Sequence, residues 1–158
     1  MTGKHTITCV VENHFGVLAR ISGLISARGF NIDSLTVSAT EDPTVSYMTI
    51  VVDADAVKLE QVKRQLGRLV DVIEVQELKE HQFIDRELLL ARVATNGKTA
   101  AELEALAERY GGKLASSSDH SVVIEAIGDT KTLDQLVEQL KAYGITKLVR
   151  TGRVALAS

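Results

Sequence analysis

Residues 5–29 read HTITCVVENHFGVLARISGLISARG, and the period of their apolar residues changes partway along. In the first part the apolar residues on one side alternate, as in a β-strand that packs one face on a core: Ile7, Cys9 and Val11. In the second part they lie three, six and seven residues after Leu18, which makes one helical stripe: Ile21, Leu24 and Ile25. Gly29 suits the turn just past a helix C-terminus. The stretch therefore predicts a strand, a short loop and an amphipathic helix.

The next elements complete one folding unit. They are strands over Ile32–Thr40 and Val45–Asp53, a helix carrying Leu59, Val62, Leu66 and Leu69, and a strand carrying Val72, Ile73 and Val75. The turn between the two strands, Glu41–Thr44, contains the one Pro of the chain, which presets the backbone angle there. The order β-α-β-β-α-β is that of the ferredoxin-like split βαβ fold.

The second half repeats this order after the polar segment Lys79–Gln82. Its elements are a strand over Leu88–Ala94, a helix that begins at a capping box in Thr99–Glu102, strands over Lys113–Ser117 and Val122–Ile127, a helix carrying Leu133, Leu136, Val137 and Leu140, and a strand over Ile145–Leu156 bent or interrupted at Gly152. The predicted fold class is α+β, with two tandem ferredoxin-like βαββαβ units over residues 1–79 and 80–158.

The composition is that of a globular protein and disfavours several classes of function. The chain has 158 residues, a net charge of −3, 45% hydrophobic residues and 4% aromatic residues, whereas nucleic-acid binders more often present basic or base-stacking surfaces. No apolar run reaches the roughly 18 residues that a membrane span needs. The first residues lack the apolar core of a signal peptide, and the single Cys9 has no partner for an internal disulfide. We therefore expect a cytoplasmic protein that binds neither nucleic acid nor a membrane.

Motifs for catalysis or metal binding are missing from the sequence. The four histidines are never paired at metal-ligand spacing, and Cys9 has no Cys-x-x-Cys partner. The eleven glycines form neither a phosphate-binding loop nor a dinucleotide-binding fingerprint. Asp53 and Asp55 are an acidic pair at a strand end, where a solvated turn explains them. The sequence therefore predicts no catalytic residue, no metal site and no cofactor.

The loop Glu12–Leu18 is the segment that suggests a ligand. Gly16 lets a ligand approach the backbone, and the N–H groups of a helix start favour a carboxylate. The amide oxygen of Asn13 can accept a hydrogen bond from an ammonium group, and Asn31 begins the next strand nearby. An apolar wall completes a site for an aliphatic amino acid: Val17, Leu18 and Ile32. The alternative is structural, with Asn13 as a helix cap and Gly16 as a turn residue, and the residues alone leave both open.

Three runs in the first half resemble the N-terminal ACT domain of the small regulatory subunit of acetohydroxyacid synthase, also called acetolactate synthase: Val11–Asn13, Gly16–Ile21 and Arg28–Val37. The second half agrees at Arg86–Leu88 and Arg150–Leu156, so the resemblance covers nearly the whole chain. Two positions depart from the family pattern, since Phe15 stands where a small residue or Pro is usual and Tyr47 stands where Arg is common.

The resemblance implies a regulatory subunit that is not catalytic alone. Members of that family act in valine, leucine and isoleucine biosynthesis, where they bind the large catalytic subunit, raise its activity and confer feedback inhibition by valine or a related amino acid. The resemblance also implies a homodimer through the ACT domains, with the effector between two of them. The positions carried over are Asn13, Gly16, Val17 and Leu18 of one chain, the backbone amides of His14 and Phe15, and Asn31 and Ile32 of its mate. An ACT-type amino-acid sensor that regulates a different metabolic enzyme is the alternative.

Two further hypotheses for a ferredoxin-like unit find less support in the sequence. A small hydrolase of the acylphosphatase kind needs an Arg in the loop after the first strand, and this loop has His14 but no Arg before Arg20. An RNA-binding domain needs stacking aromatics on its central strands, and only Tyr47 is available in the first half.

Overall fold

Two compact units make up the chain in the computed structural model, which describes residues 2–95 and 99–158. The first unit contains the described residues up to Ile84 together with Arg153–Ser158, and the second contains Asp85–Gly152. The sequence predicts two contiguous domains that divide after Lys79. In the structure, the last six residues of the chain belong to the first unit instead. Within the described ranges, none of the helices is long and apolar enough to cross a membrane.

The first unit has the predicted order of elements. They are β1 (Gly3–Glu12), α1 (Val17–Ala27), β2 (Ile32–Ala39), β3 (Val45–Ala54), α2 (Ala56–Leu66) and β4 (Val72–Leu78). The strands form an antiparallel sheet in the order β2-β3-β1-β4. This arrangement confirms the ferredoxin-like α+β fold, and it places β1, which leads into the candidate loop, in the interior of the sheet.

The main core of the first unit contains side chains from β1 and both helices. The alternating residues of β1 are at most 2% exposed, as the sequence predicts: Ile7, Cys9 and Val11. In α1 the buried residues are Val17, Ile21 and Ile25, whereas Leu18 is 44% exposed. The predicted stripe is therefore wrong at its start, because residues spaced by four from Val17 share the face that meets the sheet.

The opposite face of the sheet is also covered. Its central threonines are at most 4% exposed: Thr6, Thr8 and Thr49. The backbone N–H of Ala155 donates to Thr49 Oγ1 at 3.3 Å, and Arg153 Nη1 donates to Thr6 Oγ1 at 2.6 Å. The segment Arg153–Ser158 therefore lies over this face, and the threonine hydroxyls provide its hydrogen-bond partners.

The rest of the chain repeats the element order. Its elements are β5 (Phe83–Ala94), α3 (Ala100–Arg109), β6 (Gly112–Ser117), β7 (Ser121–Gly128), α4 (Thr130–Lys141), β8 (Ile145–Arg150) and β9 (Val154–Ala157). The sheet order is β6-β7-β5-β8, and β9 also pairs with β5. The strand predicted over Ile145–Leu156 is interrupted at Gly152 and forms β8 and β9, with Gly152 between them at a left-handed φ of 85°.

Helix starts differ from the sequence-based expectation. Thr99 makes no side-chain cap to α3, because its φ of −88° and ψ of −9° are already helical, whereas a cap requires an extended backbone. Extended aspartates cap the two other helices that follow strands directly. The Asp55 carboxylate accepts from Lys58 N–H at 2.9 Å, and that of Asp129 accepts from Thr132 N–H at 2.7 Å. Asp55 is thus a helix cap rather than part of a solvated turn.

Candidate functional site in the β1–α1 loop

The loop between β1 and α1 ends at Gly16, which has a left-handed φ of 86°. A Cβ added there would meet no atom of residues 2–95 and 99–158 within 4 Å, so the backbone angle, and not a lack of space, favours glycine. Among the residues that the structure describes, no side chain caps α1, and its first turn contains no acidic residue. An uncapped helix N-terminus presents N–H groups and a positive end of the helix dipole to whatever lies in front of it. The loop therefore combines open space with a preference for an anion.

Asn13 is not the cap of α1, so this half of the structural alternative is wrong, whereas the left-handed backbone of Gly16 agrees with its other half, a turn residue. Its side-chain nitrogen donates to the carbonyl oxygen of Pro43 at 2.9 Å, and its backbone N–H donates to that of Thr44 at 2.7 Å. These two bonds hold the loop against the β2–β3 turn. The amide oxygen, which is the atom expected to accept from an ammonium group, is not the atom that Pro43 engages.

A cluster of charged side chains anchors His14. Its Nε2 lies 2.8 Å from Asp71 Oδ1 and 3.2 Å from Glu12 Oε2, and its Nδ1 lies 3.2 Å from the carbonyl oxygen of Phe15. Arg20 of α1 forms an ion pair with the other oxygen of Asp71, whose side chain is 7% exposed. The backbone carbonyl of Phe15, and then the carboxylates of Asp71 and Glu12, raise the pKa of His14 above its ordinary value.

Glu12, His14 and Asp71 also have the atoms that a metal ion would need. One ligand atom from each lies within 4.8 Å of the others. However, Arg20 occupies one oxygen of Asp71, and the His14 ring bridges the two carboxylates. These groups satisfy one another in hydrogen bonding and largely in charge, so the arrangement does not require an ion.

The side chains expected to form an apolar wall differ in exposure. Val17 is 3% exposed and packs in the core, so its side chain is not a wall of the site, and its backbone N–H donates to the carbonyl oxygen of His14 at 3.5 Å. Leu18 is 44% exposed and Phe15 is 101% exposed. Ile32 is half-buried.

The two halves of the predicted site lie at opposite ends of the sheet within one chain. Glu12, where the loop begins, pairs with Val45 on β3, whereas Ile32 pairs with Val52 on the same strand. Seven residues of strand separate these pairs by about 23 Å at 3.3 Å per residue. One chain therefore does not bring Asn31 and Ile32 to the loop.

Sequence reasoning missed Asp71 and Arg20 as supports of the loop. They are 51 positions apart and meet only through the fold. The run that resembles the ACT family includes Arg20 but assigns it no contact, and local spacing contains no signal for the pair.

Comparisons with known proteins agree over nearly the whole chain. A family model described as the AHAS small subunit-like ACT domain matches residues 7–74, and one described as the small subunit of acetolactate synthase matches residues 86–158. The chain is 42% identical over 153 residues to a probable acetolactate synthase small subunit of Archaeoglobus fulgidus, which covers 97% of this chain and 96% of that protein. It is 40% identical over 154 residues to the acetolactate synthase small subunit of Aquifex aeolicus, with 97% and 80% covered.

A solved structure agrees as well. The acetolactate synthase small subunit from Thermotoga maritima matches with a TM-score of 0.89 at 29% identity, covering 99% of this chain and 98% of that one. Both halves are thus matched in sequence and in fold by the same kind of protein, and the chain belongs to the family of acetolactate synthase small subunits.

Proposed function

We propose that this chain is a regulatory subunit that binds valine, or a related branched-chain amino acid, and transmits that binding to the large catalytic subunit of acetolactate synthase. The observation that carries the proposal is the uncapped N-terminus of α1 behind Gly16. It is a site for an anion on a chain whose family regulates an amino-acid pathway.

The chemistry of a free amino acid suits the loop. Its carboxylate is the anion that the first N–H groups of α1 favour. Its ammonium group is a donor for the amide oxygen of Asn13, whose position the bonds to Pro43 and Thr44 fix. Leu18 and Phe15 expose apolar surface beside the loop for an aliphatic side chain. Selectivity between valine, leucine and isoleucine then depends on the space that Phe15 leaves.

A homodimer completes the site. Asn31 and Ile32 lie too far from the loop of their own chain to contact the same small ligand. A two-fold axis that relates the first units of two copies brings Asn31 and Ile32 of one copy to the β1–α1 loop of the other. The symmetry creates two equal sites. Ligand bound in this way contacts both copies, so it stabilises one arrangement of the pair.

Regulation then follows from a shift between two arrangements of the dimer. Valine favours the arrangement in which the two halves of the site meet. The large subunit responds only as far as it binds the two arrangements with different affinity, and by reciprocity its binding changes the affinity for valine.

Titration calorimetry with valine, leucine and isoleucine tests the proposal on the full chain. The wild-type protein should bind at least one of them with one site per chain. Gly16→Asp should abolish binding, because its carboxylate would stand where the ligand carboxylate belongs and a side chain strains the left-handed backbone there. In assays with the large subunit, Gly16→Asp should remove inhibition by valine and leave activation intact.

Gly23→Asp is the matched control. Gly23 lies on α1, exposed, and a Cβ there meets nothing within 4 Å. The variant adds the same charge to the same helix away from the loop and should bind like the wild type. Binding retained by Gly16→Asp, or lost equally in both variants, would show that the loop is not the site.

A further inference from the structure

We propose that His14 is a proton-dependent clip that holds the loop in its binding conformation, so that binding of the amino acid is coupled to uptake of a proton. This inference rests on the proposed function, because it concerns the same loop. It adds that pH controls the affinity for the amino acid, and that His14 is a positioning residue whose side chain need not contact the ligand.

The hydrogen bonds of the His14 ring require a proton on each of its two nitrogens. Nδ1 faces the carbonyl oxygen of Phe15, and Nε2 faces a carboxylate oxygen of Asp71 and one of Glu12. All three partners are acceptors. A neutral imidazole has one N–H, so one ring nitrogen would present a lone pair to an oxygen. Only the doubly protonated ring can donate at both ends, and the loop geometry is therefore that of the imidazolium form.

The surrounding charges agree with this protonation state. From β1 comes the carboxylate of Glu12, from the segment before β4 that of Asp71, and from α1 the guanidinium of Arg20. Arg20 opposes a second positive charge, but it lies on the Asp71 oxygen that His14 does not use. One negative charge remains in excess around the ring. The pKa of His14 is accordingly raised, first by the Phe15 carbonyl and then by the carboxylates.

The clip acts on the backbone beside Gly16. The ring joins the Phe15 carbonyl, one residue before Gly16, to Asp71, whose side chain is buried and also paired with Arg20. Loss of the proton breaks one of these two connections, and the loop then has more conformations to lose when a ligand binds. The competent fraction of the loop falls, and the apparent affinity falls with it.

The direction of the effect is fixed by the raised pKa. The stabilisation from His14 is complete below its ordinary pKa of 6.5 and is lost as the pH rises through the raised value in the folded protein. Above that value the dissociation constant for the amino acid should rise, by up to tenfold for each pH unit, since one proton is linked to binding. By reciprocity, the bound carboxylate should raise the pKa of His14 further.

Calorimetry of the full chain with valine between pH 6 and 9, in buffers of different ionisation enthalpy, counts the protons. Wild type should take up as much as one proton per site on the alkaline side of the His14 titration and little at pH 6. His14→Gln should bind with a dissociation constant independent of pH in this range and with no proton uptake. His5→Gln is the matched control, because His5 also pairs with a carboxylate, Glu77, but at the other end of β1. It should keep the wild-type behaviour.

A second measurement separates this inference from the proposed function. Nuclear magnetic resonance of the ring ε1 proton gives the pKa of His14, and hydrogen exchange of residues 13–18 gives the protection of the loop, both without ligand. Loop protection should fall as His14 titrates, in wild type but not in His14→Gln. If valine, leucine and isoleucine do not bind at any pH while the loop still responds in this way, the proposed function fails and the clip stands. The clip is wrong if the protection of the loop does not change as His14 titrates. It is also wrong if His14→Gln takes up as many protons as the wild type.

Discussion

The hydroxyl of Tyr47 on β3 donates to the carbonyl oxygen of Ala155 at 2.9 Å and joins residues 108 positions apart. Ala155 is 1% exposed. Its N–H donates to Thr49 Oγ1 on the same strand at 3.3 Å. Arg153 adds a cation–π contact, with its guanidinium carbon 5.8 Å from the centre of the Phe83 ring. Tyr47, which departs from the family pattern, thus has a structural role in holding the segment Arg153–Ser158.

Tyr47→Phe should loosen that segment. The substitution leaves a buried carbonyl without its donor, which costs about 1 kcal/mol. Hydrogen exchange across Val154–Ala157 should accelerate accordingly. Tyr143→Phe is the control, because the Tyr143 hydroxyl contacts Glu102 in the second unit at 3.4 Å. Equal exchange of Val154–Ala157 in wild type and Tyr47→Phe would show that the bond contributes nothing to holding the segment.

The sequence predicts the fold where the deciding interactions are local. The alternation in β1 and the change of period before α1 determine which residues face the core, apart from the exact face of α1. Pairing between segments that are far apart in sequence is not predicted in this way. The alternation of Val154–Leu156 indicates a strand, but nothing in it specifies that the segment returns to the threonine face of the first sheet, because that choice depends on contacts about 100 residues away in sequence.

The candidate site divides in the same way. Gly16 and Asn13 are recognisable because a helix start needs particular residues at particular positions. The partners of those residues are not recognisable, since Pro43 and Asp71 reach the loop only through strand pairing and the end of α2. The prediction of a helix cap at Thr99 is wrong for a different reason. The Thr99–Glu102 pattern is correct in composition, but the backbone at Thr99 is already helical, and sequence does not encode that angle directly.

Asp71→Asn should destabilise the first unit. The substitution keeps the shape of a side chain that is 7% exposed and removes the charge that pairs with Arg20 and His14. Charged hydrogen bonds contribute about 1.5–3 kcal/mol, and the half-exposed Arg20 places the loss toward the lower end. Native-state hydrogen exchange of β1 and α1 amides measures the change. Glu12→Gln is the control, because the Glu12 side chain is 52% exposed and its loss should change stability by less than about 0.5 kcal/mol. An equal effect of both substitutions would mean that burial of Asp71 is not the cause.

Asp129→Ala should lower the stability of the second unit by about 1 kcal/mol, since it removes the cap of α4. Thermal unfolding and exchange of the Thr132 amide report the loss. The bond to the Thr132 N–H lowers the pKa of Asp129 below 3.8, so the stabilisation is present above that pH and is lost as the pH falls through the lowered value.

Asp129→Asn and Thr99→Val complete the test of capping. Asn retains an oxygen that accepts from Thr132, so most of the stability should remain, without the dependence on acid pH. Thr99→Val keeps the side-chain shape and removes a hydroxyl that is buried with no partner among residues 2–95 and 99–158. It should be neutral or slightly stabilising. A loss of about 1 kcal/mol in Thr99→Val would instead restore the predicted capping box.

Cys9 should be inert in the folded protein, although it is the only thiol. Its side chain is fully buried between β1 and the helices, and burial raises the pKa of the thiol to about 12. The thiolate is the reactive species, so at pH 8 iodoacetamide should modify Cys9 only through unfolding of the core. Urea should bring the labelling rate to that of an ordinary thiol, and the logarithm of the native rate should rise in Asp71→Asn in proportion to its loss of stability. Fast labelling of the native protein, with no dependence on these changes, would mean that β1 opens locally and that the core around the loop is less rigid than the burial of Ile7 and Val11 requires.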